Sequence, residues 1–332
     1  MRLFFLFVSL SASLFAESQN NRFSYSAIKM GSPFRIVFYA KDSIMAEALA
    51  QASWQLVDSL NAVFSDYLPG SELNRLSATA GKDSFVAVSA HLYKIFLQAE
   101  GAWKISNGRF DITIGALSHV WRRWRREKIF PAADSVSIAR NKTGFSKVLI
   151  DKKQQCIKLM QEGMQLDVGG IAAGYIAEEV IKLLTSKGIS AALADASGDI
   201  VCSGPPPEKE GWSIGINLPG KESKLLPQTI VLYGKSVSTS GDVFQYIEHA
   251  GKRYSHIIDP LTGYGVTAQR NVTVIACDGP TADWLASACS ILPLKKVRAM
   301  AQETGSEFLI TEMKNDKLRS YTSKGFKNYW SK

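Results

Sequence analysis

The chain has 332 residues, 46% of them hydrophobic and 21% charged. That balance excludes a mainly disordered chain and leaves enough apolar material for one large domain or two ordinary ones. The formal net charge of +9 would suit an anionic partner, but much of the excess lies in one run, Trp121-Arg122-Arg123-Trp124-Arg125-Arg126-Glu127-Lys128.

From the N-terminus, Met1 and Arg2 precede the apolar run Leu3 to Val8, and small residues lead to Phe15-Ala16-Glu17. A positive start, an apolar run and a small-residue exit read as a secretory signal peptide over residues 1–16, with cleavage after Ala16; a buried first strand is the alternative. The run is shorter than the ~20 residues that cross a bilayer. No cysteine follows it, so no lipid anchor is expected. Residues 17–332 are then the mature chain.

Phe23 to Met30 and Phe34 to Ala40 read as a strand pair turning at Gly31-Ser32-Pro33. Asp42-Ser43 can cap a helix in which Leu49, Ser53, Leu56, Leu60, Val63 and Phe64 recur at helical spacing. Further helices are predicted from Ala90 to Ile105, from Ile171 to a C′ glycine at Gly188, after Pro280, and from Lys295 to Gln302. Strand-like runs are Lys147 to Ile150, Cys156 to Met160, Gly211 to Ile216, Thr229 to Tyr233, Val272 to Cys277 and Phe308 to Thr311. Hairpin and helix-separated order both occur, which predicts a mixed α+β fold.

The Trp–Arg run suits either an anionic surface or a solvated helix or loop whose two Trp residues pack inward; export argues against a nucleic-acid partner. Pro205-Pro206-Pro207 reads as a surface loop. Cys156, Cys202, Cys277 and Cys289 form no CxxC pair, so no zinc ribbon or thioredoxin motif is expected. Each lies in an apolar stretch, which favours buried free thiols over disulfides.

Three segments carry candidate chemistry. In Leu166-Asp167-Val168-Gly169-Gly170-Ile171-Ala172-Ala173-Gly174-Tyr175 a strand ends at a carboxylate, two glycines follow and a helix begins. Such a turn lets a ligand approach the backbone and offers free N–H groups to a pyrophosphate, though glycine turns of this kind also serve plain packing. In Gly279-Pro280-Thr281-Ala282-Asp283-Trp284-Leu285-Ala286-Ser287, Asp283 and Ser287 are four apart and share a helix face. A carboxylate and a hydroxyl there can ligate a hard cation such as Mg²⁺, or merely cap the helix. In Tyr254-Ser255-His256-Ile257-Ile258-Asp259, a histidine near a carboxylate can act as a general base or serve structure alone. Ser238-Thr239-Ser240-Gly241-Asp242 and Asn107-Gly108-Arg109-Phe110-Asp111-Ile112-Thr113-Ile114-Gly115 read as turns or ligand loops.

Taken in order, these segments resemble the FAD:protein FMN transferase (ApbE-like flavin transferase) family from Met30 to Ser287. The matching stretches are Met30 to Pro33; Phe64-Ser65-Asp66-Tyr67 with Ser71-Glu72-Leu73; Gly108 to Thr113; Asp167 to Tyr175; Ser197-Gly198-Asp199-Ile200; Thr239 to Asp242; His256 to Pro260 with Thr262-Gly263; and Ala282-Asp283 with Ala286-Ser287. The resemblance implies a single domain over 17–332, with mostly antiparallel sheets packed with helices. It implies FAD-binding roles for Met30, Tyr67, Arg109, Phe110, Asp111, Asp167, Ala173 and Ile257. Mg²⁺ would be held by the carbonyls of Gly170 and Ala286 and the side chains of Asp283 and Ser287. His256, oriented by Asp259, would take the proton from an acceptor threonine. The implied acceptors carry a motif close to Asp-Gly/Ser-x-Ser/Thr-Gly-Ala/Ser-Thr and lie outside the bacterial inner membrane. A periplasmic or envelope location and peripheral contact with that membrane follow.

Several positions depart from the family pattern. Ala173 stands where a lysine is expected, Ser287 where threonine is usual, Asp195-Ala196-Ser197-Gly198-Asp199 where Asn-x-Gly-Gly-Asp is usual, and Val243 where tyrosine often follows Gly-Asp. The metal set is intact, so these changes bear on affinity and substrate choice. Two other functions fit the same residues: a Mg²⁺-dependent FAD pyrophosphatase releasing FMN and AMP, and a non-catalytic flavin-binding protein of the envelope.

Overall fold

A computed structural model describes residues 21–217, 225–241, 246–314 and 317–331. The expected signal segment at 1–16 and the positions Asp242 and Val243 lie outside the described residues. The first strand pair is as the sequence predicts: β1 (Asn21–Lys29) and β2 (Ser32–Ala40) run antiparallel, with Lys29 opposite Ser32. Their turn places both Met30 and Gly31 at positive φ, 52° and 76°, a region that only glycine enters without steric cost.

Helix α1 (Ser43–Phe64) follows, capped by Asp42, whose carboxylate accepts the Met45 N–H at 2.8 Å. Next come α2 (Glu72–Ser77), β3 (Val86–Ala87), α3 (Ala90–Ile105), α4 (Gly115–Glu127), α5 (Ala133–Asn141), β4 (Val148–Asp151) and β5 (Cys156–Leu159). Then α6 (Gly169–Ser186), β6 (Ala192–Ala196), β7 (Asp199–Cys202), β8 (Trp212–Ile214), β9 (Ile230–Leu232) and β10 (Ser236–Gly241). The chain finishes with β11 (Tyr246–His249), β12 (Lys252–Ser255), β13 (Arg270–Ala276), α7 (Gly279–Ile291), α8 (Leu294–Glu303), β14 (Glu307–Lys314) and β15 (Lys317–Thr322).

Eight strands form the main sheet in the order β1-β2-β6-β7-β10-β13-β14-β15. Every neighbouring pair is antiparallel. Strand periodicity sorts the side chains between two faces. Phe34, Ile36, Phe38, Val274, Phe308 and Ile310 enter the principal core with Leu60, Ile176 and Leu285 from the helices. Val37, Ile275 and Leu309 enter a second core under β8, β9 and a short turn at Gly325–Tyr329, where Trp212, Ile214, Ile230 and Phe326 close over them. A third cluster joins α4 and α5 to the segment after β12 through Leu117, Trp121, Val136, Ala139 and Ile258.

The Trp–Arg run is a helix, not a loop. Trp121 is buried, Trp124 half-buried, and Arg123 and Arg126 face solvent. The central strands β6 and β7 and the strand β10 were not predicted. Ala192–Ala196 carries three alanines and an aspartate, a composition poor in strand formers, and Ser236–Gly241 reads as a turn until its neighbours pair with it. The four cysteines are free thiols; Cys202 and Cys289 are buried as expected, whereas Cys277 is exposed, which corrects its placement in an apolar interior. No helix among the described residues is long and apolar enough to cross a membrane.

The contact that sets the architecture of the site is between α6 and α7. A Cβ on Gly174 would fall 2.2 Å from the Gly279 carbonyl oxygen, and one on Gly279 would fall 2.1 Å from that of Gly174. The helices therefore meet backbone to backbone, and only glycine fits at either position. Replacing Gly174 with alanine must push them apart. We expect Gly174→Ala to lower stability by about 1–3 kcal/mol, the usual cost of overpacking, read as an earlier midpoint in chemical denaturation; an unchanged midpoint would show that the helices separate freely.

Candidate functional site

The site grows from two backbone segments that run side by side. Asp167 donates its N–H to the Ile112 carbonyl at 2.8 Å, Gly115 donates to Gln165 at 3.0 Å, and Ile114 bridges Gln165 in parallel fashion. Gly115 is required there, because a Cβ would lie 2.6 Å from the Gln165 carbonyl. Asp111 braces the first segment from within. One carboxylate oxygen accepts the N–H and hydroxyl of Thr113 at 2.9 and 2.6 Å, and the other accepts the Phe145 N–H at 2.9 Å. Burial pushes the Asp111 carboxyl above its ordinary pKa despite these hydrogen bonds.

The second segment ends in the glycine turn. Asp167 Oδ1 accepts the Gly169 N–H at 2.9 Å. Gly170 departs from helical geometry with φ −91° and ψ 17°, so the first turn of α6 is kinked. A Cβ on Gly170 would lie 3.2 Å from the Phe110 ring and 3.2 Å from Ser287 Oγ, which brings this backbone directly onto α7.

Asp283 of α7 is buried, and its Oδ2 accepts the Gly174 N–H at 3.1 Å. Asp199 of β7 accepts a hydrogen bond from the buried Ser238 hydroxyl of β10. Though the residue is partly exposed, its carboxyl group is enclosed, and this pushes it up to about 7. Enclosure, with the neighbouring Asp199 charge, pushes Asp283 well above the ordinary carboxylate range.

These groups line a cavity of about 370 Å³ together with Tyr67, Arg109, Phe110, Arg122, Arg125, Ser287, His256 and Ile257. The structure thus brings together most of the residues marked in the sequence: Tyr67, Arg109, Phe110, Asp111, Asp167, Gly170, His256, Ile257, Asp283 and Ser287. Among the described residues, Met30, Ala173, Asp259 and Ala286 are not on its wall. Met30 and Ala173 pack against the principal core. Ala286 is fully buried and its carbonyl accepts the Ser290 hydroxyl at 2.9 Å.

Asp259 also serves a different partner from the one expected. Its two carboxylate oxygens accept hydrogen bonds from Arg109 and, at 3.0 Å, from the Leu261 N–H. It therefore fixes Arg109 and the turn after His256. That turn is pinned again from α4, where Trp121 Nε1 donates to the Gly263 carbonyl at 2.8 Å. His256 itself stands exposed on the cavity edge.

Three charged wall residues have no role assigned from the sequence: Arg122, Arg125 and Asp199. The signal for the arginines is periodic. Ile114, Ser118, Trp121, Arg122 and Arg125 all line the cavity, which is one face of α4 at helical spacing. Arg122 pairs with Asp66 and, at 2.7 Å, with Asp167.

An all-oxygen set fits a hard divalent cation. No cluster of three His, Cys, Asp or Glu side chains is found among the described residues, but the Asp283 carboxyl, the Ser287 hydroxyl and the backbone at Gly170 converge without one. Two enclosed carboxyl groups held above their ordinary pKa are what a cation would relieve, and the missing Cβ at Gly170 keeps the space against Ser287 clear.

This α+β fold and cavity define the class of flavin transferases by likeness to solved structures. The Pseudomonas stutzeri flavinyl transferase ApbE, in its apo form, superposes with a TM-score of 0.83 at 27% identity, over 94% of this chain and 97% of that one. The flavin transferase ApbE from Vibrio cholerae gives 0.83 at 25% identity, over 93% and 99%. The ApbE family model matches residues 30–310, and the chain belongs to the ApbE family. A relative named FAD:protein FMN transferase, from Klebsiella pneumoniae (strain 342), is 32% identical over 267 residues, covering 80% of this chain and 81% of its own.

The raised pKa of Asp199 has a stability consequence. Its folded value, about 7, lies above the unfolded carboxylate value of about 4. Between those pH values the folded chain keeps a proton that the unfolded chain has released, so this group lowers stability as pH rises. In metal-free buffer, Asp199→Asn should gain on the wild type steadily from about pH 4 to 7 in thermal unfolding and hold that gain above; a difference independent of pH would refute the assignment.

Proposed function

We propose that this chain is a Mg²⁺-dependent FAD:protein FMN transferase that moves FMN from FAD to a threonine hydroxyl of a target protein and releases AMP. The observation that carries the reading is the convergence of Asp283, Ser287 and Gly170 beside the Asp167 glycine turn, with His256 on the edge of the same cavity. The family membership and the names of the relatives support it.

Gly170, Asp283 and Ser287 would hold Mg²⁺, which when bound supplies charge neutralisation at the pyrophosphate. Ala286, whose carbonyl is engaged by Ser290, is left out of that set. The Gly169, Ile171 and Ala172 N–H groups at the start of α6 already donate to Asp167 and to the Val168 carbonyl, so this helix end would contribute its dipole to the pyrophosphate rather than a set of free donors. Tyr67, Arg109, Phe110 and Ile257 form the walls for the nucleotide. Arg109 is held in place by Asp259, and Asp111 shapes the wall from behind. The acceptor threonine oxygen bonds to the FMN-side phosphorus while the phosphorus–oxygen bond to AMP breaks. His256 takes the hydroxyl proton. Most of the acceleration comes from alignment and charge stabilisation, as in phosphoryl transfer generally.

Residues 1–16 read as a signal peptide, so we place the enzyme in the periplasm or envelope, acting on proteins with an Asp-Gly/Ser-x-Ser/Thr-Gly-Ala/Ser-Thr type motif. The solvent-facing Arg123 and Arg126 of α4 would favour peripheral contact with an anionic membrane.

The deciding assay mixes the chain with FAD, Mg²⁺ and a domain bearing the acceptor motif. Flavin fluorescence should stay on the acceptor through denaturing electrophoresis. Free FMN and AMP with an unlabelled acceptor would mean hydrolysis, and intact bound FAD would mean storage. Asp283→Ala should abolish transfer, and wild-type turnover in that variant would reject the metal set. His256→Ala should keep FAD affinity while slowing transfer by about 10²–10⁴-fold, the usual worth of a general base; an unchanged rate would remove it from that role.

A further inference from the structure

Arg122 belongs to the Trp–Arg run, yet it is largely withdrawn from solvent, with 25% of its side chain exposed. Its guanidinium donates to the Asp66 carboxylate through Nη1 and to Asp167 Oδ2 through Nη2, the latter at 2.7 Å. It also lies over the ring of Tyr67, 4.3 Å from the centroid. The partners come from separate parts of the fold. Asp66 and Tyr67 follow α1, Asp167 opens the glycine turn, and Arg122 reaches both from α4.

Tyr67 is 70% exposed on the cavity rim. A tyrosine so exposed keeps its rotamer freedom unless something holds the ring. Here a planar cation covers one face, a favourable arrangement for an aromatic quadrupole. The side chains of Asp66 and Asp167 are only 8% and 12% exposed. Burial works against the charged form of Asp66, but the hydrogen-bonded Arg122 guanidinium and the neighbouring His119 hold it below its ordinary value. His119 approaches Asp66 only to 3.7 Å and is 40% exposed, so the bridge between the two carboxylates is made by Arg122.

We propose that Arg122 is a positioning residue. It holds Tyr67 as a stacking platform for a planar ring of the flavin nucleotide and fixes that platform to the glycine turn through Asp66 and Asp167. The inference rests on the flavin-nucleotide reading of the cavity, but not on the transfer step. A guanidinium can bridge two carboxylates in its plane and offer its face to a ring at once, whereas a lysine ammonium is a point charge with no such face. Without the bridge, two enclosed carboxylates stand uncompensated beside the pyrophosphate, and the ring above them is loose.

The test is a double-mutant cycle on FAD affinity, measured by calorimetry with the full chain in Mg²⁺ buffer. Arg122→Met should weaken binding by about 10- to 100-fold, the equivalent of a charged hydrogen-bond pair. Tyr67→Leu should weaken it as well, and the double variant should lose clearly less than the product of the two. Arg122→Lys should recover only part of the loss, with a melting temperature near that of the wild type, and it carries the test alone if the Met variant does not fold. Losses that multiply, or full affinity in Arg122→Lys, would overturn the inference. Tight FAD binding by a wild type that transfers nothing would overturn the transferase reading and leave this one standing; a wild type that binds no FAD would overturn both.

Discussion

The site depends on one close approach, the meeting of α6 and α7 at Gly174 and Gly279. Both glycines present bare backbone to the other helix, so the helix axes come nearer than any pair of side chains allows. Two results follow from the same contact. The Gly174 N–H falls within hydrogen-bonding distance of Asp283, and the kinked residue Gly170, one helical turn earlier, abuts Ser287. A carboxyl group, a hydroxyl and an irregular stretch of backbone are thereby gathered at one point from segments more than a hundred residues apart. Widening the helix packing by one methyl group would draw the Gly170 backbone away from Asp283 and Ser287, although none of them is altered chemically.

Charge explains why the cavity accepts this arrangement. Asp199 and Asp283 sit together at the enclosed end, where burial and mutual repulsion disfavour ionisation. Asp66 and Asp167 flank Arg122, which compensates them both. The protein's own cations thus serve one pair of carboxylates, while among the described residues the other pair has hydrogen bonds from Ser238 and Gly174 but no salt bridge. A site meant only to be stable would pair both. The uncompensated pair lies beside Ser287 and Gly170 on the same cavity wall, the electrostatic situation that the proposed divalent cation would relieve.

Periodic features of the fold were legible in the sequence. The amphipathic α1, the Asp42 cap, the β1–β2 pair and the Gly188 stop all follow from local spacing and backbone preference, and all are present. The centre of the sheet was not legible. β6, β7 and β10 are made of alanine, serine, glycine and aspartate, and their strand character comes from neighbours on both sides rather than from their own composition. These are the strands that deliver Asp199 and Ser238 to the cavity, so weak local signal and site residues coincide. The Trp–Arg run was legible in outline, as a helix with its tryptophans turned inward, but not in the inward turn of Arg122. Its charge suggested a surface, while its helical phase sends Trp121 and Arg122 inward and leaves Arg123 and Arg126 outside. The principal core draws residues from Phe34 to Ile310, in keeping with one domain, but nothing in local patterning could have revealed how far apart its members lie.

The loop that carries His256 becomes a precise element without regular structure. The resemblance implies that Asp259 orients His256; in the structure Asp259 accepts hydrogen bonds from Arg109 and the Leu261 N–H. The loop is fixed instead at its ends. Ile258 bridges Gly265, Ser255 donates its N–H to Val266, and Trp121 holds Gly263 from α4. Gly265 passes so near Ser255 that a Cβ would lie 2.2 Å from its carbonyl oxygen. The backbone that carries His256 is therefore located by contacts that do not involve the imidazole. This suits the proton-transfer role proposed for it, because a ring exposed at the cavity edge can meet an acceptor while the chain beneath it stays in place.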